Sequence, residues 1–396
     1  MGATPMSDGH NARRSPEANG YSLWQLVVYA LKLGTIGFGG PVALIGYMYR
    51  DLVETRRWIS EADYKEGLTL AQLMPGPLAA QLAIYLGYVH YRVRGATLVG
   101  IAFVAPSFLM VVALGWLYQR FGGLSWMQAV FYGVGAAVIG IIAISAYRLT
   151  TKNIGRDRLL WAIYLVSAAL TAITAREVVW IYLGAGILVW LLRAPPATPL
   201  APGSVNALTL AAPMAGSVDW PLLAQLGAFF AKAGALVFGS GLAIVPFLYG
   251  GVVAEHHWLN EQQFIDAVAV AMITPGPVVI TVGFIGYLIA GLPGALTAAI
   301  ATFLPCYLFT VLPAPYFKKY GKRPAIVAFV NGATAAAIGT IAGSVIVLGR
   351  RSVIDLPTLT LALGTALLLM NLKKLPEPLI VLGAALIGLV VYPSAG

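Results

Sequence analysis

This chain has one cysteine, Cys306, and it sits in an apolar run, so an internal disulfide is excluded. Charge is also scarce: Asp, Glu, Lys and Arg make up 10% of the 396 residues, against roughly 25% in soluble domains. With 59% hydrophobic residues and a mean hydropathy of +0.82, a soluble fold is excluded and a polytopic membrane protein is indicated. Histidine is limited to His10, His90, His256 and His257, none deep in an apolar segment. Gly-x-Ser-x-Gly, His-Glu-x-x-His and Walker patterns are missing. Hydrolysis and ATP-driven work have no recognisable parts here. We expect no enzyme activity, no metal site and no cofactor.

Acids are the scarcer charge, 15 against 25 Lys and Arg, giving a formal net charge of +10. The basic residues fall mainly in short loops between apolar segments, as the positive-inside rule expects. The excess therefore does not point to nucleic acid, although it suits an anionic ligand. The polar–apolar alternation of a membrane barrel is absent. Instead, runs such as 95–117 and 126–147 are continuous and long enough to cross a bilayer as helices. The expected fold class is an all-α polytopic membrane protein with about 10–13 membrane segments, some broken or re-entrant.

What the chain does have is a break that occurs twice. Met74-Pro75-Gly76-Pro77 is repeated as Thr274-Pro275-Gly276-Pro277, each time inside apolar sequence. Proline removes a backbone donor and biases the residue before it away from α, and glycine permits a sharp change of direction. One such break reads equally well as a loop or a kink. Two in register read as functional, because lipid tolerates broken backbone only where protein or a cavity surrounds it. The register extends well beyond the breaks. Lys32/Lys232, Gly34/Gly234, Phe38/Phe238, Gly39/Gly239 and Trp58/Trp258 pair at a spacing of 200, and Gly87/Gly286, Pro106/Pro305 and Gly140/Gly339 at 199. This is an internal duplication. Residues 1–20 read as a cytoplasmic tail, 21–193 as the first repeat, 194–220 as a Pro-rich linker and 221–396 as the second repeat.

Equivalent loops exchange their charge. Arg92 and Arg94 have no basic counterpart in 290–294, and the stretch 50–66 holds Lys and Arg where 250–266 has none. In 50–66 the four bases Arg50, Arg56, Arg57 and Lys65 are nearly balanced by acids, and the contrast lies in Lys and Arg alone; conversely, the loop holding only Arg120 corresponds to one with Lys318, Lys319, Lys322 and Arg323. The halves are therefore expected to be inverted repeats, an arrangement that transporters use with the site near the midplane. Six apolar segments per half would leave both halves the same way round. The segments broken at 37–41 and 75–77 are the expected re-entrant ones, since the linker is rich in proline for a crossing.

The candidate site follows from the breaks. Backbone N–H groups at helix N-termini form anion sites, which nominates Gly39, Gly40, Pro75, Gly76, Pro77, Gly239, Gly241, Pro275, Gly276 and Pro277. Gln72 and Thr274 add side-chain donors, and each alone is as well read as interhelical glue. Lys32 and Lys232 either face that site or snorkel to the interface. Glu66 and Asp266 recur nine residues before each Pro-Gly-Pro. They are proton-coupling candidates, with solvated helix-end acids as the plainer alternative. Arg56-Arg57 and His256-His257 each precede a Trp, which suits interfacial anchoring.

Taken together, Phe38-Gly39-Gly40-Pro41, Arg57-Trp58-Ile59-Ser60-Glu61, Leu70 to Pro77 and Pro106-Ser107 resemble the chromate ion transporter family in its long, two-domain form. The second half resembles it through Phe238-Gly239-Ser240-Gly241, Trp258-Leu259, Thr274 to Pro277 and Leu304-Pro305, departing where Ser240 replaces a glycine and Arg57 has no basic equivalent. The resemblance implies secondary, multi-pass transport of chromate out across the inner (plasma) membrane, with chromate resistance as the result and sulfate as the obvious mimic. Expected partners are the oxyanion and the lipid bilayer, and a homodimer is compatible with the sequence. The rival class is a membrane-embedded enzyme acting on lipid, which would need a cluster of carboxylates or histidines that the sequence does not display.

Overall fold

The computed structural model describes residues 20–37, 40–121, 125–174, 179–195, 219–236, 244–320, 323–372 and 377–392, and all regular structure among them is helical. Seven helices fill the first half: α1 (Leu23–Ile36), α2 (Gly40–Met48), α3 (Glu61–Leu73), α4 (Leu78–Phe121), α5 (Ser125–Asn153), α6 (Arg158–Thr174) and α7 (Val179–Arg193). The second half supplies α8 (Trp220–Leu236), α9 (Ile244–Tyr249), α10 (Glu261–Ile273), α11 (Thr281–Val311), α12 (Ala314–Tyr320), α13 (Pro324–Ser352), α14 (Leu356–Asn371) and α15 (Glu377–Val391). Four stretches are long and apolar enough to cross a membrane, at 78–121, 126–151, 278–317 and 324–350.

Local chemistry sets the starts and stops. The Ser60 side chain accepts from the Asp63 N–H to begin α3, and Asn260 and Gln263 form a reciprocal capping box at α10. Both helices end where the next residue is proline, with Met74 and Thr274 already extended. After α2 and α9 the chain winds into π turns, Tyr49–Thr55 and Gly250–Glu255, which close on the left-handed residues Arg57 and His257. Arg56 lies over the Trp58 ring at 4.6 Å, and His256 stacks on Trp258 at 4.2 Å. These pairs have the aromatic neighbours expected of an interfacial anchor.

The breaks are hairpin tips. Tyr29 bonds Asp51 and Tyr21 stacks on Trp58, so α1 runs antiparallel to α2 and its π turn. A Cβ on Gly67 would strike Tyr85, so α3 folds back on the start of α4 with Pro75–Pro77 at the tip. Helix α3 is about 20 Å long, too short for the roughly 30 Å hydrocarbon core. It is re-entrant, as expected. A further reversal, which the sequence reading placed in a loop, is carried inside α4 at Arg92 (φ 54) and inside α11 at Gly291 (φ 60). Each of these two helices therefore consists of two limbs, packed through Gly87 on Gly95 and Gly286 on Gly294.

The two halves are intertwined and opposed. Thr97 meets Tyr307, whereas Gly115, at the far end of the same limb, packs on Tyr287 beside the α11 reversal. The second limbs of α4 and α11 are equivalent, and they run antiparallel. Helices α6 and α7 pack on α13 of the other half, and α14 and α15 pack on α5. The contacts are reciprocal: Gly133 lies on Ala384 and Gly388, and its equivalent Gly332 on Ala185 and Val189; Gly140 lies on Ala362, and its equivalent Gly339 on Tyr164. Small residues let backbones approach closely where lipid offers no hydrophobic drive to association.

One end of the bundle gathers the positive charge. Tyr91 bonds Tyr21, Arg193 bonds Asp157, and Thr97 contacts Tyr307, so 56–57, 92–94, 148–158 and the end of α12 share that end of the bundle; 321–322 lie outside the described residues. The positive-inside rule assigns it to the cytoplasm. Gly227 and Gly234 pack on Thr297 and Thr302, which runs α8 parallel to the second limb of α11 and starts it at the opposite end. The first half thus finishes at the basic end, and the second begins at the other. Most of the stretch joining them, 196–218, lies outside the described residues, and the expectation for it with them. Re-entrant hairpins occur in pairs in each half, so they leave the parity unchanged. We predict that a cysteine at Arg94 is labelled by an impermeant thiol reagent only from the cytoplasmic side and one at Leu292 only from outside. Labelling of both from one side would remove the inversion.

Candidate functional site

The hairpin tips of opposite halves meet inside the bundle. The Gly276 N–H donates to the Gly37 carbonyl at 3.0 Å, joining the Pro-Gly-Pro tip of the second half to the Gly-rich tip of the first. Ser107, on the second limb of α4 and fully buried, stands between them. Its hydroxyl lies 2.7 Å from the Pro275 carbonyl and 3.2 Å from that of Gly34. A buried peptide group left unpaired in lipid costs several kcal/mol, so these bonds hold the breaks closed.

Glycine is required at both proline tips. Gly276 has φ +95 and Gly76 has φ +138, and a Cβ on Gly276 would overlap Ser107 Oγ. On Gly76 it would lie 2.7 Å from Gln81 Nε2 and 3.1 Å from Cys306 Sγ. Cys306 is the equivalent of Ser107, so the two halves present different atoms at matching places. Gln81 is fully buried and donates to the Pro75 carbonyl at 2.7 Å, while its Oε1 has no partner among the described residues.

The other nominated residues divide. Pro77, Thr274, Pro275 and Pro277 are buried and Pro75 is half-buried, all at the tips; Thr274 turns its hydroxyl back to Val270 and Ala271 of its own helix. Gly40 opens α2, and Gly39, Gly239 and Gly241 lie outside the described residues. Gln72 is exposed on α3. Lys32 and Lys232 are exposed too, on the faces of α1 and α8 turned away from the helices that Gly34 and Gly234 touch, and the buried tip contact includes neither.

Glu66 and Asp266 differ in setting. Glu66 is half-buried and bonds the Tyr85 hydroxyl of its own half. Asp266 is 3% exposed and reaches across: it accepts from Tyr118 of the first half at 2.6 Å and from Gln262 at 2.8 Å. None of the ion pairs among the described residues includes it. The equivalents of Tyr85 and Tyr118 are Phe284 and Phe317, so one hydroxyl serves each acid but from a different position. Sequence reading missed Ser107, Tyr85 and Tyr118; a Tyr facing a Phe in the other copy was the available signal. Asp266 borders a cavity of about 670 Å³ at the end away from the basic loops, between α4, α5 and α10.

Fold and site together define a class, an internally duplicated helical membrane protein of the transporter type, with its re-entrant breaks paired at the centre. The chain belongs to the chromate transporter family, whose model matches residues 24–190 and again 224–389. It is 73% identical over 378 residues to the chromate transport protein of Cupriavidus metallidurans, covering 94% of each chain. It is 63% identical to the probable chromate transport protein of Synechococcus elongatus over 94% of this chain and 96% of that one, and 34% identical to the chromate transport protein of Pseudomonas aeruginosa over 94% and 93%. No solved structure matches the chain.

The crossed tips carry a prediction. Gly276→Ala should destabilise the fold by about 2–4 kcal/mol, adding backbone strain to overpacking. Adding Ser107→Ala should recover part of that loss, because it removes the overlapping atom. Thermal unfolding in detergent checks both. Simple additivity of the two losses would place the residues out of contact.

Proposed function

We propose that this protein is a secondary transporter that moves chromate outward across the cytoplasmic membrane. The observation that carries the reading is the near-full-length match to the Cupriavidus protein. The tip geometry supports it. Chromate brings two negative charges and four acceptor oxygens, so a site must offer donors without holding the ion too tightly. Backbone N–H groups at re-entrant tips do this without adding full charges. The helix starts that follow the two Pro-Gly-Pro tips supply them in this reading, joined by the glycines of the other breaks, since proline has no N–H and that of Gly276 is bonded to Gly37. Lys32 and Lys232, on exposed faces one to two turns before their tips, then act by drawing the anion in rather than by gripping it.

An inside-negative membrane potential favours exit of a dianion, so a coupled ion serves only to drive export against a steep outside concentration, and protons are the candidate. Glu66 and Asp266 lie about 13 Å before their tips along α3 and α10, one toward each end of the bundle. A carboxyl that takes up and releases a proton as the anion moves would couple the two.

The test is uptake into everted vesicles, comparing chromate, sulfate and molybdate with the lumen acidified. Chromate uptake should exceed that of the other anions and rise with the gradient. Glu66→Gln with Asp266→Asn should flatten its pH dependence while the protein still folds. A double variant with the parental pH profile would reduce both acids to helix-end charges, and sulfate moving in place of chromate would change the substrate.

A further inference from the structure

The cavity beside Asp266 has no part in the tip contact, yet it is lined unlike the rest of the bundle. Around it stand Gln119 and Tyr118 from the end of α4, Gln128 and Tyr132 from the start of α5, and Gln262 with Asp266 from α10. With Asn260, Gln263 and Tyr392, five carboxamides and three phenols thus face one space at the outer end of a protein whose walls are largely apolar. Tyr392 donates to Gln128 Oε1 at 3.3 Å, which directs the donor nitrogen of that amide away from the tyrosine. Gln119 holds the Leu288 carbonyl only at 3.4 Å.

We propose that this cavity is a second oxyanion site, an outer vestibule in which neutral amide donors receive the ion and Asp266 must take up a proton before it stays. The proposal rests on the transport reading for its ligand. Carboxamides donate to an oxyanion without a fixed charge, so the ion can leave. An ionised Asp266 at the cavity wall would repel a dianion at a distance where screening by water is weak. Its partners are the neutral Tyr118 and Gln262, so protonation is the available way to remove that charge. The titratable and charged groups facing it are few. Tyr118 comes from α4; Tyr132 from α5 is bonded to Asp355 at the start of α14; Tyr392 follows α15; Glu261 of α10 bonds Tyr249. Packed α11 offers Leu288 and Phe284. Arg120 adjoins Gln119 and lies over the Trp116 ring. Anion arrival and proton arrival at the outer face are thereby one linked event.

The experiment places a thiol on the cavity wall with Leu288→Cys in the full-length protein, in right-side-out vesicles. Cys306 is buried, so an impermeant methanethiosulfonate applied outside reads the new thiol. Molybdate is the protecting probe. Half-protection should need at least about tenfold less molybdate at about pH 6 than at about pH 8. Asp266→Asn should remove that pH dependence and protect at the lower concentration throughout. Gln128→Leu should weaken protection severalfold without changing the labelling rate in the absence of anion, which checks that the cavity still forms. No protection by molybdate at either pH, or an unchanged pH dependence in Asp266→Asn, overturns the proposal. Chromate transport measured in parallel separates the two readings. Protection without transport sustains the vestibule and removes the transport function; transport without protection does the reverse.

Discussion

A hydrocarbon core contains no water to satisfy a peptide group, and this protein interrupts its helices inside it. The rest of the architecture answers that constraint. The bond from Gly276 to Gly37 uses the broken backbone of one half to satisfy the broken backbone of the other, with Ser107 between them. Neither tip could be buried alone at acceptable cost. Pairing across the halves therefore requires the opposed arrangement, because only then do tips entering from opposite ends reach the same depth.

The second requirement is close approach. Re-entrant helices of about 20 Å cannot anchor themselves in the bilayer. Their position is set by the long limbs of α4 and α11, on which α1 and α8 lie so tightly that Gly34 and Gly234 touch backbone carbonyls. The outer layer then closes by exchange, each C-terminal helix pair lying in the small-residue groove of the other half's long helix.

Much of this was legible in the sequence. The duplication, the breaks and the swapped loop charges follow from residues at fixed spacing, and composition alone fixed the class. Contacts between halves were not legible, because a repeat shows which positions are equivalent and not which ones touch. Ser107 drew attention only as part of a motif, and its pairing with Pro275 depends on a crossing that spacing does not encode. Lys32 and Lys232 misled for a related reason. Their place in the sequence is close to the tips, but helical phase turns them to the outside.

The exchanged helix pairs also set a timetable. Gly133 belongs to a helix whose groove is filled by Ala384 and Gly388, synthesised roughly 250 residues later. At about 5–20 residues per second, α5 waits tens of seconds in the membrane with that surface open. Until α15 arrives, the nascent chain must be shielded by lipid, by the translocation machinery or by transient contacts with its own earlier helices. The first repeat is therefore an intermediate rather than a folding unit, and the native structure is committed only when nearly the last helix has been made.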